Sequence, residues 1–322
     1  MIDAAARLAL ESHLDDRIEF DAPLARHTSL RIGGPADAIA TPADRDELAA
    51  TLAICDAHSI PTTVLGAGFN VLIREGGIRG LVLRLKKLRE VERRGQDLIA
   101  VEAGASHATI TRFCVDHALS GLEFAAGIPG TLGGWLAMNA GIGVREMKDV
   151  VHEIDLLDRR GMALPTLPRD RLDFRYRALH GLEPGSILVA ARLRVTPGDR
   201  ARIREEIDRL LESRRATQPI DIPSCGSVFR NPPGDHAGRL IEAAGLKGLR
   251  EGAAQISPVH ANFIVNHGGA TASDVLRLID RARRAVADET GIVLETEVKL
   301  LGTPARTASF EEACGIAGGN AS

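Results

Sequence analysis

The chain has 322 residues, 44% of them hydrophobic and 26% charged, with a mean hydropathy of −0.02. That composition excludes a disordered or fibrous chain, and the length is enough to bury a large core. Lys plus Arg number 40 and Asp plus Glu 43, a formal charge of −3, which excludes whole-surface electrostatics as a route to nucleic acid or membrane; 3% aromatics leave little for base stacking.

At about 150 residues per domain, the length points to two domains or three small ones. Residues 1–20 read as a short amphipathic helix running into a loop. Asp3, Glu11, Asp15 and Asp16 interrupt any apolar run there, so this is no signal peptide. Leu48, Leu52 and Cys55 recur at helical spacing after Thr41-Pro42 and predict a helix over 44–58. Pro61–Leu65 reads as a buried strand stopped by Gly66-Ala-Gly68, and Gly80–Leu85 and Leu98–Glu102 as two more. Ser106 is placed to cap a helix carrying Ile110, Phe113 and Cys114. Residues 121–143 are glycine-rich and apolar at once. Ile154–Leu157 and Ile187–Val195 read as strands around a loop region. Ile203, Ile207, Leu210 and Leu211 make the stripe of a helix over 199–215. Gln218-Pro219 and Ile222-Pro223 end it and mark a domain boundary.

Beyond the boundary come a glycine- and proline-rich loop, 224–235, a short helix, Ala237–Ala244, and a strand, Ala261–Asn266. Thr271-x-x-Asp274 then opens a helix with Val275, Leu278, Ile279, Ala282 and Val286 on its face. Val293–Leu301 reads as a strand, with Leu294, Thr296, Val298 and Leu300 on one face and Glu295, Glu297 and Lys299 on the other. Residues 303–322 are expected to be a flexible tail. Strict βαβ alternation is not kept, which favours α+β over one doubly wound sheet. No run of about 18 apolar residues exists, so no membrane insertion is expected. Cys55, Cys114, Cys225 and Cys314 form neither a CxxC pair nor a disulfide framework. Cys55-x-x-His58 and Cys114-x-x-His117 fall in predicted helices and match no zinc motif, so no metal site is expected. A reducing, cytoplasmic setting follows.

Five segments are candidates for chemistry. Gly66-x-Gly68 follows a strand, but Val71 stands where a dinucleotide fingerprint needs a third small residue. A tight turn presenting backbone N–H groups to a phosphate remains, against a plain strand-ending turn. Gly127-Ile-Pro-Gly-Thr-Leu-Gly-Gly134 is no Walker loop, since no Gly-Lys-Ser/Thr follows. Its glycines suit close backbone approach to a ligand, with a helix N-terminus facing negative charge; the alternative is a buried turn. Ser227, between prolines, is either a positioned hydroxyl or a turn residue. Cys225 lacks a histidine at an identifiable spacing and reads as inert. Arg175 and Arg177 share a face if Asp173–Arg177 is extended. Glu295 and Glu297 are either an acid/base pair or edge charges. A lone His260 reads as structural.

Together these segments resemble one family, UDP-N-acetylenolpyruvoylglucosamine reductase (UDP-N-acetylmuramate dehydrogenase). The matching pieces are His27–Ala36, Leu65–Asn70, Gly127–Gly134, Met138–Gly141, Tyr176-Arg177, Gly226–Pro232, His260–Asn266 and Leu294–Val298, in the family's order over about residues 20–302. The resemblance implies an α+β fold. It would comprise a vanillyl-alcohol-oxidase/PCMH-type FAD-binding unit of two α+β subdomains (1–79 and 80–217) and a C-terminal α/β substrate-binding domain (218–302). It implies FAD as cofactor, NADPH as co-substrate and UDP-N-acetylglucosamine enolpyruvate as substrate, in peptidoglycan precursor synthesis. It implies Ser227, Arg177 and Glu297 as catalytic residues. FAD contacts would come from Arg31, Gly33, Leu65, Gly66, Ala67, Gly68, Phe69 and Asn70. Gly127, Pro129, Gly130, Thr131, Gly133, Gly134, Asn139, Ala140 and Gly141 would complete them. Substrate contacts would come from Tyr176, Arg230, Asn231 and His260. The chain departs from the family pattern at Trp135, where alanine is common, and at Ile142-Gly-Val-Arg-Glu146, where an aromatic-glycine-glycine-glutamate stretch is common. Its sole tyrosine, Tyr176, belongs to the arginine motif, so the chain resembles the subgroup lacking a tyrosine-bearing loop.

Overall fold

The computed structural model describes residues 2–305. Helix α1 (Ala4–Leu14) is capped by Asp3, whose carboxylate accepts from the Ala6 amide at 2.8 Å. It buries Ala6, Leu10 and Leu14; each fully buried leucine contributes about 1.5–3 kcal/mol. The segment read as a loop after it is a strand, β1 (Ile18–Pro23), antiparallel to β2 (Pro35–Ala40). Only Ala22 of β1 is fully buried, so its apolar signal is too small to read. Helix α2 (Arg45–Ala57) starts at the Asp44 cap rather than at Thr41-Pro42. Strands β3 (Thr62–Val64) and β5 (Ile78–Leu83) run parallel to each other and to β2, giving the order β1-β2-β5-β3. Between them, β4 (Val71–Ile73) leaves this sheet.

The second unit contains β6 (Val91–Arg94), β7 (Leu98–Glu102), α3 (His107–Asp116), β8 (Leu119–Ser120), α4 (Leu132–Ala137), β9 (Gly141–Ile142) and β10 (Arg145–Glu146). It continues with β11 (Val151–Leu157), β12 (Leu167–Pro168), β13 (Asp173–Arg175), β14 (Ala178–His180), β15 (Ile187–Arg194), β16 (Thr196–Pro197) and α5 (Arg200–Thr217). Its main sheet is antiparallel, in the order β12-β11-β15-β7-β6. Ser106 caps α3 as read, accepting from the Thr109 amide at 3.2 Å. The core joins Ile99, Ile110, Leu132, Trp135, Ile154 and Leu193.

The third unit contains β17 (Ser224–Ser227), α6 (Ala237–Ala243), β18 (Arg250–Glu251), β19 (Ala254–Ile256), β20 (Phe263–Asn266), α7 (Ala272–Thr290) and β21 (Lys299–Leu301). The antiparallel order β17-β20-β19-β18 carries α6 and α7 over a core shared with Leu30, Ile32 and Leu72 of the first unit. Thr271 and Asp274 form the expected capping box. Two readings fail here. Ser224–Ser227, taken as loop, is a strand. Of the expected strand 293–301, only Lys299–Leu301 is one. Leu294 and Val298 are buried while Thr296 and Leu300 are exposed, so the period of two is broken. The amides of Glu297 and Val298 both donate to the Val228 carbonyl, at 2.8 and 3.3 Å, which bends the segment inward.

Strand β21 pairs in parallel with β4, tying the end of the chain to the first unit. The expected tail lies outside the described residues from 306 on, with Cys314; Thr303 exchanges backbone hydrogen bonds with Gly76 and Gly77, both at 3.0 Å.

Candidate active site

A cavity of ≈480 Å³ lies between the first two units. Leu65, Gly66 and Ala67 after β3 line it, with Arg84 and Leu85 after β5, Gly104 and Ser106 after β7, and Thr131, Gly133 and Gly134 at α4. Space is made by missing side chains: a Cβ on Gly66 would stand 3.0 Å from Thr131 Oγ1. Gly68 has φ +75°, and a Cβ there would overlap the His27 carbonyl. Its own carbonyl accepts from the Ser29 amide (3.0 Å) and hydroxyl (3.1 Å). Among the described residues, the amides of Gly66, Ala67, Gly68 and Phe69 have no protein acceptor. At α4 the protein itself takes up part of the helix N-terminus. The Leu132 and Gly133 amides donate to the Ala105 and Ala103 carbonyls, at 3.0 and 2.9 Å. The free donors are therefore on the 66–69 loop and at Gly134, which lines the cavity.

Arg177 organises a second centre. Strands β13 and β14 form a hairpin whose two-residue turn is Tyr176-Arg177, with Arg177 at φ +53°. The turn separates the two arginines expected on one face. Arg175 is exposed on Asp173 at 2.8 Å, and Arg177 points inward. Arg177 Nε donates toward Glu297 Oε1 at 3.3 Å, Nη2 donates to the Gly141 carbonyl at 3.3 Å, and Nη1 lies 3.7 Å from Glu146 Oε1. Tyr176, at the rim, has its ring centroid 4.9 Å from the guanidinium. The Glu297 side chain is 15% exposed; burial pushes its carboxyl above the ordinary value, against the pull of Arg177, Arg230 and Lys299. Glu295, read with Glu297 as either an acid/base pair or edge charges, is 75% exposed and lies 3.7 Å from Arg230 Nη1, so the two carboxylates form no acid/base pair.

Ser227 ends β17, half-buried, after Gly226 at φ +82°. Backbone bonds fix its neighbours. The Cys225 carbonyl accepts from the Asn70 amide at 3.1 Å, and the Val228 carbonyl from the Glu297 amide at 2.8 Å. Ser227 thus stands between the 66–70 loop and Glu297. Asn70 binds on every side: its carbonyl accepts from the Lys299 amide (2.9 Å), and Nδ2 donates to the Glu297 carbonyl (3.3 Å) and to Met138 Sδ (3.4 Å). Arg230 is half-buried, its Nε without a partner. Burial, with Lys247 nearby, holds His260 below the ordinary histidine value, and its Nδ1 accepts from the Asn262 amide at 3.2 Å.

Of the other residues carried over by resemblance, Asn139 and Asn231 bond to the protein itself. Asn139 is fully buried: Nδ2 donates to Glu146 Oε2 (3.0 Å) and to the Arg175 carbonyl (3.1 Å), and Oδ1 accepts from the Lys148 amide (3.0 Å). Asn231 Oδ1 accepts from the Ala237 amide at 3.1 Å, at the start of α6. Gly33 packs against Ile73 and Leu24, Arg31 is exposed in a turn, and Gly127, Pro129 and Gly130 lie off the cavity wall. Trp135 is 2% exposed in the second-unit core, so this departure from the family pattern does not reach the cavity.

The profile of the UDP-N-acetylenolpyruvoylglucosamine reductase C-terminal domain matches residues 218–301, and that of an FAD binding domain matches 36–166. Proteins named UDP-N-acetylenolpyruvoylglucosamine reductase from Anaeromyxobacter dehalogenans and Geobacter metallireducens are 47% and 46% identical over 300 and 293 residues. The alignments cover 93% and 91% of this chain and 89% and 97% of theirs. The chain belongs to the UDP-N-acetylenolpyruvoylglucosamine reductase family. The crystal structure of the Thermus caldophilus reductase of this family is similar at a TM-score of 0.76 and 35% identity, covering 88% of this chain and 98% of that one.

Within this family's fold, the structure adds residues that sequence reading passed over. Asn262 clamps the backbone beside Ser227. Its Oδ1 accepts from the Phe229 amide and its Nδ2 donates to the Phe229 carbonyl, both at 2.8 Å. Arg84, on the cavity wall, donates to His27 Nδ1 at 2.7 Å, and burial, then Arg84, holds that histidine below its ordinary value. A signal for Asn262 was present, since it lies inside the His260–Asn266 motif; Arg84 lay only in the predicted strand Gly80–Leu85, outside every motif. Glu146 stood in the sequence only as part of a departure.

Proposed function

We propose that this reductase converts UDP-N-acetylglucosamine enolpyruvate to UDP-N-acetylmuramate for peptidoglycan synthesis through Arg177, Glu297 and Ser227, with NADPH as reductant and FAD as carrier. The observation that carries this reading is the half-buried Arg177–Glu297 contact at 3.3 Å, beside a strand ending in Ser227. The residues at the cavity suit FAD: the free amides of Gly66–Phe69 are donors for a diphosphate, and Gly66 leaves room for it. FAD, when bound, passes hydride from NADPH to the terminal vinyl carbon of the substrate.

The protein then has two tasks. Hydride addition leaves an electron pair on the adjacent carbon, delocalised into the carboxylate. Arg177 stabilises that charge, and protonated Glu297 donates a hydrogen bond to the same oxygens. Ser227 delivers the proton to that carbon and is reprotonated by solvent. A neutral hydroxyl is a weak acid, so placement supplies its competence. Arg230 is placed for the substrate's phosphates.

No helix among the described residues is long and apolar enough to cross a membrane. We place the reaction in the cytoplasm, where nucleotide sugar and NADPH are supplied. We divide the chain into three units, and because a boundary at 79/80 would cut β5 we draw the first unit through residue 83.

The test is the visible spectrum of the anaerobic holoenzyme. NADPH should bleach the flavin band, and the enolpyruvyl substrate should restore it. Ser227→Ala should bleach within about threefold of the wild-type rate and recover about 10²- to 10⁴-fold more slowly. Equal slowing of both phases would remove Ser227 as proton donor; bleaching without recovery in the wild type would point to another acceptor.

A further inference from the structure

Arg177 stands between two carboxylates that are held very differently. Glu297 lies on an irregular segment. Glu146 is fixed from several sides. Its Oε2 accepts from Asn139 Nδ2 at 3.0 Å and lies 2.5 Å from Lys148 Nζ. Its carboxylate also accepts from the Asp149 amide in a capping box. Asn139, fully buried, ties this anchor to the Arg175 carbonyl, on the same hairpin that carries Arg177. Arg177 Nη1 lies 3.7 Å from Glu146, while Nε reaches Glu297 at 3.3 Å. These are the two carboxylates within 4.0 Å of Arg177 among the described residues.

We propose that Glu146 is a positioning residue for the reduction: it holds one edge of the Arg177 guanidinium, so that the cation does not close fully on Glu297. Glu297 then keeps its proton, and Arg177 keeps donors for the substrate carboxylate. This rests on the function proposed above. The charged groups facing Glu297 are Arg177, Arg230 and Lys299; those facing Glu146 are Arg177 and Lys148, with the Asp149 amide. Without the Glu146 charge, Arg177 has one carboxylate left to pair with. A closer cation favours ionised Glu297, so its proton is lost at lower pH. Removing Lys148 acts in the opposite sense, because Glu146 then draws Arg177 more strongly.

The test is single-turnover reoxidation of NADPH-reduced holoenzyme by the enolpyruvyl substrate, followed from about pH 5.5 to 9. In the wild type the rate falls as pH rises through the Glu297 titration. In Glu146→Gln that fall should move down by about one pH unit. Flavin reduction by NADPH should stay within about twofold. Glu146→Asp keeps the charge and should restore the wild-type limb. Should Glu146→Gln fail to hold FAD, Lys148→Met reads the same coupling, with the limb moving up. Uniform slowing at every pH with no shift of the limb, or equal slowing of both half-reactions, would overturn the proposal. A wild type that bleaches but never reoxidises would instead sink the functional reading itself.

Discussion

Glu297 gains its chemical use from a cost to stability. Burial raises its carboxyl above the ordinary value of 4.5, so the fold binds that proton more tightly than the unfolded chain does. Stability is then fully retained below the ordinary value and falls as pH rises through the raised one. Glu297→Gln removes the penalty. Its melting temperature relative to wild type should improve as pH rises above about 4.5 and level off once the raised titration of Glu297 is complete. A constant difference across that range would mean that Glu297 is ionised throughout. The same variant should slow reoxidation by about 10²-fold or more. The thiols behave oppositely in kind, since they are buried without a task. Burial pushes Cys55, Cys114 and Cys225 up to about 12, which leaves almost no thiolate near neutral pH. A thiol reagent should reach none of the three before unfolding, and rapid labelling of Cys225 in the native protein would contradict this.

At the scale of elements, the 66–70 loop separates two uses of glycine. Gly68 is needed for its left-handed backbone and its contact with the His27 carbonyl. Gly68→Ala combines strain of about 1–3 kcal/mol with that overlap, and should lower the melting temperature of the apoprotein as well as FAD retention. Gly66 carries no such strain, and its absent Cβ leaves space toward Thr131. Gly66→Ala should weaken FAD retention with little change in apoprotein stability. Gel filtration of holoenzyme and thermal melts of apoprotein separate the two. An equal loss of stability in both variants would make the loop purely structural.

At the scale of the molecule, the proposed catalytic set exists because three units meet. Asn70 joins them through Cys225, Lys299, Glu297 and Met138, and β21 returns to β4. Asn70→Ala should cost about 1–2 kcal/mol of stability and slow reoxidation about tenfold, since it frees the segment that carries Glu297. Unchanged reoxidation would show that β21 and the Val228 carbonyl hold that segment without the Asn70 side chain.

The helices over 44–58 and 199–215 and the Thr271 capping box were legible because helical period and caps are local properties. The glycine loops and the ordered motifs were enough to name the reductase family and its chemistry. Strand β1 was not legible, because it buries only Ala22 completely; nor was β17, which reads as a proline- and glycine-bounded loop. The split of Arg175 from Arg177 depended on a turn that no alternation of residue types announces. Glu146, Asn139 and Asn262 had no periodic signal at all. Their roles come from partners on other elements, and the pairing of Arg177 with Glu297 is set by Val228, Asn70 and the docking of β21 on β4. Residue types and local spacing determined which chemistry this chain can perform. The tertiary structure alone decided which carboxylate meets the arginine, because burial and Coulomb interaction depend on distance in space rather than along the chain.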